Sequence, residues 1–409
     1  MRRAIWIAPV LTWTVLTLAE SAAFSAPAQQ RASGVTNEAT LPKDVYADSG
    51  NRLPLIKRES LDERGKKAYD EAVSRAAPAL EPRGASAIRL HGSGAGLSVR
   101  WASPLGRQLT ELAIVTTARE HDQPYEWSLH EMEAVAVGLD PAVIDIVRHR
   151  KPIAGVADKE AFIIEAGREI FGRHRLDSEI YARGLKLLGK SNLVDVLDLM
   201  ASYSGTAARL TAFNQQMPPG WKQFLPLPFE PPNDIHADSR SRLPLIRSQS
   251  QNPQVNLYSR QLAPEGTGPG HIARHGAGLK TLEASAGPRL MALAILLTAR
   301  EHDAQYEWTL NELAARQQGL EAATIEVVRD RKPSSGLGEK ETALVEFGRE
   351  LFRKHNVSST TYERALKAFG ERDLVDLVSL MAQHATDAAL LTAFDQHLPA
   401  GEKNLLPIQ

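Results

Sequence analysis

One segment of eleven residues occurs twice in this chain. TAREHDQPYEW at 117–127 returns as TAREHDAQYEW at 298–308, with nine of the eleven positions identical and an offset of 181 residues. Shorter matches extend the repeat in both directions, at 52–56 and 242–246, 91–92 and 275–276, 138–139 and 319–320, 150–152 and 331–333, and 193–195 and 374–376. This period is far longer than a solenoid unit, so we expect each copy to be a whole domain.

Proline marks the boundary between the two copies. The stretch LPLPFEPPND at 225–234 predicts a linker, because adjacent prolines cannot continue a helix. We assign copy one to 45–226, the linker to 227–236 and copy two to 237–409. The apolar residues recur at intervals of three and four, for example at Leu193, Val196, Leu197 and Met200. Because no convincing alternating runs occur in the sequence, we predict an all-α fold in which the two copies pack as a pseudo-dimer.

The composition excludes several classes of function. The chain has no cysteine, so it has no disulfide, thiolate nucleophile, cysteine-ligated metal or dithiol redox centre. Its 48 Lys and Arg against 49 Asp and Glu give a net charge of −1, which provides no field of one sign to hold nucleic acid. We therefore predict no nucleic-acid partner and no cofactor. We also predict no metal, because Glu126 and His130 supply too few ligands for a metal site.

The N-terminus has the pattern of an export signal. Two arginines precede a mostly apolar run at 4–19, and small residues follow as far as Ala28. We predict a cleaved signal at 1–28 and a flexible segment at 29–44. A retained membrane anchor is the alternative, although the run is shorter than the ~20 residues of a spanning helix. The mature protein is then expected in the periplasm or outside the cell, without stable membrane insertion.

The segment from Glu111 to Leu139 carries Tyr-Glu-Trp-x-x-His followed by Ala-x-x-x-Gly-Leu, and it resembles the core of the carboxymuconolactone decarboxylase / alkyl hydroperoxidase D-like family. In the peroxidase members this stretch holds a glutamate, a Cys-x-x-Cys pair and a histidine. The resemblance places these four groups on Glu111, Gln123, Glu126 and His130. Both sulfurs are lost, so dithiol peroxidase activity is not expected, whereas the decarboxylase branch works without that pair.

Copy two departs further from the family pattern. Ala292 and Asn311 stand where copy one has the glutamate and the histidine, and only Glu307 is kept. We therefore predict a degenerate site in copy two, with Arg300 and His302 as its other polar residues. A mixed site, in which residues of copy two complete the site of copy one, is the alternative.

Glu126 and His130 lie four residues apart on one predicted helix, so their side chains share a face. A carboxylate on one imidazole nitrogen fixes the tautomer and leaves the other nitrogen to transfer a proton. An ordinary surface ion pair has the same spacing. Glu111 belongs to the preceding predicted helix, and a turn at 122–124, read as an N-cap and first turn, folds it back toward the pair.

Four further residues are candidates for substrate binding: Arg119, His121, Tyr125 and Trp127.

The alternatives for these four residues are structural. A cation at a helix C-terminus interacts with the helix dipole, which explains Arg119 and His121 equally well. Trp127 is typical of core packing. The sequence, read with the family resemblance, predicts a lyase for a small carboxylated lactone or keto acid, in which His130 is the acid, Glu126 orients it, Glu111 relays a proton and Arg119 anchors the carboxylate. A non-catalytic binding or assembly protein is the alternative, and the resemblance implies a homo-oligomer.

Overall fold

The computed structural model describes six stretches of the chain: 41–75, 83–94, 98–227, 233–246, 267–399 and 401–408. Within these stretches the chain forms seventeen α-helices and a short 3-10 turn at Arg58–Ser60, and the β-type pairing found there is an isolated bridge between Tyr46 and Asn51. The predicted all-α fold is confirmed for these residues. The predicted signal at 1–28, the segment 29–40 and residues 228–232 of the linker lie outside them.

The helices repeat with the sequence. Copy one contributes α1 Glu63–Arg75, α2 Gly84–Arg89, α3 Val99–Ala102, α4 Arg107–Glu120, α5 Pro124–Ala136, α6 Pro141–Arg148, α7 Asp158–Arg173, α8 Ser178–Leu188 and α9 Lys190–Ala212. Copy two contributes α10 Gly268–Ala273, α11 Leu279–Ala286, α12 Pro288–Glu301, α13 Gln305–Gln317, α14 Ala322–Arg329, α15 Glu339–Arg353, α16 Ser359–Phe369 and α17 Glu371–Ala393. Each helix from α4 to α9 begins 181 residues before its counterpart among α12 to α17.

The N-cap of α5 lies one residue later than the sequence suggested. Gln123 is the N-cap, and its side chain accepts hydrogen bonds from the backbone N–H groups of Tyr125 and Glu126. Asp122 adopts a left-handed conformation, with φ of 47°, and pairs with Arg119. This correction arises because the longer glutamine side chain reaches the free N–H groups of the first turn. The tight turn sets α4 and α5 side by side.

The two longest helices, α9 and α17, pack against each other at the centre of the molecule. Gly205 on α9 lies directly against α17, where an added Cβ would come within 2.4 Å of Thr386 Oγ1 and 2.7 Å of Ala382 O. Each copy has a buried tryptophan in its core, Trp127 on α5 and Trp308 on α13. The contact between the copies therefore depends on the close approach of α9 to the backbone of α17 as well as on the burial of apolar side chains.

The segment that precedes the helices of each copy packs against the other copy. Arg52 N donates a hydrogen bond to Phe394 O at the end of α17, and Arg242 N donates to Phe213 O at the end of α9. Both bonds join residues of different copies and are related by the repeat. The copies are thus linked by reciprocal arms as well as by α9 and α17.

Among the described helices, no single one is long and apolar enough to cross a membrane. One pair, Leu279–Ala286 with Pro288–Glu301, passes the same test by length and composition, although it is bent by 114°.

Candidate functional site

Glu111 lies at the centre of a buried polar cluster in copy one. Its side chain is fully buried, and Oε2 accepts a hydrogen bond of 2.8 Å from His130 Nδ1. Oε1 accepts from Arg100 Nε at 2.8 Å and from Arg107 Nη2 at 2.6 Å. The packing of α4 against α5 brings Glu111 and His130 together across 19 residues of sequence. Each carboxylate oxygen therefore has at least one charged or ring N–H donor.

These partners keep Glu111 ionised. Burial opposes the charge, but the hydrogen bond from His130 and the positive charge of Arg100 outweigh burial and lower the pKa of Glu111 to about 2. Arg107 also pairs with Glu133, with 2.7 Å between Nη2 and Oε2. At neutral pH Glu111 is an acceptor on both oxygens.

His130 is held in one tautomer by this carboxylate. Because Nδ1 donates its proton to Glu111, the neutral ring carries its lone pair on Nε2. Burial and the nearby Arg100 lower the pKa of His130, although Glu111 opposes this shift. Tyr203 on α9 packs edge to face on the imidazole, with ring centroids 5.1 Å apart. His130 is therefore a neutral base with a free acceptor nitrogen at pH 7.

Glu126 does not make the hydrogen bond to His130 that its spacing suggested. It is 2% exposed, and neither of its carboxylate oxygens has a hydrogen-bond partner in the part of the chain that the structure describes. The expected pairing is corrected: Glu111 orients His130, because the arginines keep Glu111 charged while Glu126 has none bonded to it. Burial raises the pKa of Glu126 well above its usual range, with partial opposition from Arg100. Glu126 therefore holds its proton more tightly than an ordinary glutamate does.

Arg100 was missed by the sequence analysis, although its guanidinium reaches the centre of the cluster. The side chain is 11% exposed, and Nη2 has no hydrogen-bond partner among the described residues, although Glu133 lies 3.7 Å away. Arg100 and Arg107 both stack on Trp101, with the guanidinium carbons 4.4 and 3.9 Å from the ring centroid. No motif identifies Arg100, because it lies in a short helix that only tertiary packing brings to α4.

The four predicted substrate-binding residues are engaged elsewhere. Arg119 donates from Nε to Arg148 O at 2.7 Å, and His121 Nδ1 donates to Thr117 O at 2.9 Å. Tyr125 OH contacts Thr267 Oγ1 of copy two at 2.9 Å. Trp127 is buried in the core and donates from Nε1 to Glu131 at 2.5 Å. In the structure these four residues make packing and capping contacts. The arginine beside Glu111 and His130 is Arg100, and not Arg119 as predicted.

The residues predicted for copy two are placed differently from their counterparts. Arg300 pairs with Asp303, and His302 Nδ1 donates to Thr298 O at 2.8 Å. Glu307 is buried and is hydrogen-bonded through Oε1 to His384 Nδ1 on α17. His384 was not predicted, but it stands 181 residues after Tyr203, so a comparison of the polar positions of the repeat could have found it.

A second group of histidines lines a small cavity between the copies. His121 stacks on His355 with ring centroids 5.5 Å apart, and His174 faces His302 at 5.9 Å. The cavity has a volume of about 30 Å³, and Glu301 also lines it. The four histidines form two sets related by the repeat offset.

Among the residues that the structure describes, no group of three or more histidine, aspartate or glutamate side chains is arranged to hold a metal ion. Comparisons with protein families, with curated proteins and with solved structures find no match for this chain. The family resemblance therefore remains a prediction from the motif.

Proposed function

We propose that this protein is a tandem member of the carboxymuconolactone decarboxylase / alkyl hydroperoxidase D-like family, with its two copies packed as a pseudo-dimer. We further propose that copy one is a cysteine-independent lyase for a small carboxylated lactone or keto acid. The observation that carries this proposal is a buried carboxyl group, Glu126, which has no hydrogen-bond partner among the described residues and lies one helical turn before His130, whose tautomer Glu111 fixes. Burial shifts the two pKa values in opposite directions, raising that of Glu126 and lowering that of His130, which suits a carboxylic acid as proton donor and an imidazole as proton acceptor.

The charges of the cluster suggest how the reaction would run. Loss of CO₂ breaks a carbon–carbon bond and leaves its electron pair on the substrate as an enolate, which needs one proton at carbon. Glu126 would donate that proton and later regain one from solvent. Arg100 Nη2 is the donor available to the substrate carboxylate and the developing enolate.

His130, whose tautomer Glu111 fixes, would take a proton from solvent at Nε2 and pass it to Glu126 after each turnover, so that Glu126 is again the acid. Glu126 is thus the acid, a role that the sequence analysis gave to His130. The proposal retains an exported protein that forms a homo-oligomer and binds a small carboxylate, supported by the N-terminal pattern and the family resemblance.

The test is CO₂ release from acetoacetate and from a carboxylated γ-lactone, measured for wild type and for Glu126→Gln, His130→Asn and Arg100→Gln. General acid–base groups contribute roughly 10²- to 10⁴-fold, so Glu126→Gln should lower kcat by at least about 100-fold. Arg100→Gln should mainly raise KM. Glu179→Gln, an exposed change on α8, is the control and should leave both parameters unchanged. Equal rates for wild type and Glu126→Gln would favour the binding-protein alternative.

A further inference from the structure

We propose that copy two holds a second proton-transfer site, built from Glu307 and His384, which acts on an uncharged carbonyl compound. The sequence predicts a degenerate site here, because Ala292 and Asn311 replace the glutamate and the histidine of copy one. The structure instead places a histidine from another helix against the remaining glutamate. The inference concerns residues outside the site proposed for copy one and does not depend on its activity.

The geometry of the pair is that of an acid–base dyad. Glu307 Oε1 contacts His384 Nδ1, while Glu307 Oε2 is buried and has no hydrogen-bond partner among the described residues. The His384 side chain is 13% exposed, close to the 10% of His130 in copy one. Asn311 is turned back on its own helix, where Nδ2 donates to Glu307 O at 2.8 Å. The histidine that pairs with the buried glutamate thus lies on α5 in copy one and on α17 in copy two.

The pKa values of both members of this pair are shifted. Burial raises the pKa of Glu307, with partial opposition from His384. Burial opposes a charge on His384, but the Glu307 carboxylate outweighs burial and raises the pKa of His384. Asp387, one turn further along α17, acts in the same direction. A protonated His384 with Nδ1 bound to Glu307 presents Nε2–H as a donor. From the geometry we assign the acid role to His384 Nε2, because Nδ1 is bound to Glu307, and the base role to Glu307 Oε2, which has no partner among the described residues.

The surroundings of Glu307 define the class of substrate. Two arginines pair with Glu111 in copy one, whereas no lysine or arginine pairs with Glu307 among the described residues. The nearby Arg89 is held between Asp198 and Asp387, with 2.8 Å in each ion pair. In the part of the chain that the structure describes, a substrate carboxylate would find no free cation beside this dyad, so we expect an uncharged ketone or lactone.

The proton transfers balance without an oxidant or a reductant. Glu307 Oε2 takes a proton from the carbon next to the carbonyl, and the electron pair of that C–H bond moves to form the enol double bond. His384 Nε2–H gives its proton to the carbonyl oxygen. The reverse steps, with protons drawn from solvent, return the ketone with its α-hydrogen exchanged.

The experiment follows deuterium exchange at the α-carbon of cyclopentanone in D₂O by proton NMR. Wild type and His130→Asn should both accelerate exchange above buffer, because copy two acts alone. Glu307→Gln and His384→Tyr should each lose at least about tenfold of that rate. Copy one has a tyrosine at the equivalent position, so we expect His384→Tyr to fold. If it does not fold, His384→Gln is the second variant.

Glu363→Gln, an exposed change on α16, is the matched control and should exchange at the wild-type rate. The charged probe 4-oxopentanoate should exchange more slowly than cyclopentanone in His130→Asn. Wild-type exchange in folded Glu307→Gln and His384→Tyr would overturn the proposal, as would no exchange above buffer in wild type. Failure of CO₂ release in copy one would leave these outcomes unaffected.

Discussion

At the scale of single residues, the surroundings of a carboxylate matter more than its position in the motif. Glu111 and Glu126 are both buried, but within the described stretches only Glu111 is paired with arginines. His130 and the arginines keep Glu111 charged, whereas burial raises the pKa of Glu126 with only partial opposition from Arg100. The sequence alone places both residues near His130 and gives no means of telling which one the arginines contact.

Glu111→Gln tests the structural part of this account. Removing one partner of a buried ionic cluster leaves the other charges unpaired, and such changes cost about 3 to 5 kcal/mol. We expect the free energy of unfolding in urea at pH 7 to fall by about 3 kcal/mol. Because the pKa of Glu111 is lowered to about 2, this stabilisation is present above the unfolded value near 4.3 and is lost as the pH falls toward 2. A difference from wild type that persists undiminished at pH 2 would contradict the ionic origin.

At the scale of helices, the crossing of α9 and α17 depends on one small residue. The close approach at Gly205 leaves no space for a methyl group beside Thr386 and Ala382. Gly172 on α7 is a helical glycine with open space around its Cβ position. The two positions form a matched pair, because the same substitution meets a neighbouring helix at one and solvent at the other.

Gly205→Ala should lower the free energy of unfolding by about 1 to 3 kcal/mol, since overpacking forces neighbours to shift. Gly172→Ala should instead raise it by up to about 1 kcal/mol, because alanine favours helix. Urea unfolding of both variants measures the contrast. Equal effects of the two substitutions would show that the α9 and α17 crossing is not tightly packed.

At the scale of the whole molecule, four histidines meet between the copies. Burial and then His355 lower the pKa of His121 to about 3, and burial and then His174 lower that of His302 to about 4. Asp303 lies 3.4 Å from His174, and Glu301 and His355 line the same cavity. The interface therefore favours the neutral rings of His121 and His302.

Acid should weaken this interface. A histidine whose folded pKa lies below the unfolded value near 6.5 stabilises the fold above pH 6.5, and that stability is lost as the pH falls toward 4 and 3. We expect a loss of about 1 to 2 kcal/mol per histidine at pH 5. The double variant His121→Asn and His302→Asn should lose less Tm between pH 7 and pH 5 than wild type does. His149→Asn, at an exposed position, is the control; identical pH profiles for the double variant and wild type would refute this account.

The helices and the equivalent positions of the two copies could be predicted, because hydrophobic periodicity and the repeat are visible in the sequence itself. Sequence reasoning placed Glu111 near His130 through the family register, and the structure brings those two residues together. It missed Arg100 and His384, because both reach their partners only through tertiary packing of distant helices. It paired His130 with Glu126 because helical spacing does not show which carboxylate is already held by a cation.

The protonation state of Glu126 is the centre of the proposed mechanism. A ¹³C NMR titration of glutamate-labelled protein measures it directly, and Glu126→Gln assigns the resonance. We predict that the signal absent from Glu126→Gln titrates well above the ordinary glutamate value near 4.3, so that Glu126 is protonated at neutral pH. If that signal titrates at the ordinary value, Glu126 is a charged carboxylate and the acid–base assignment of the site is wrong.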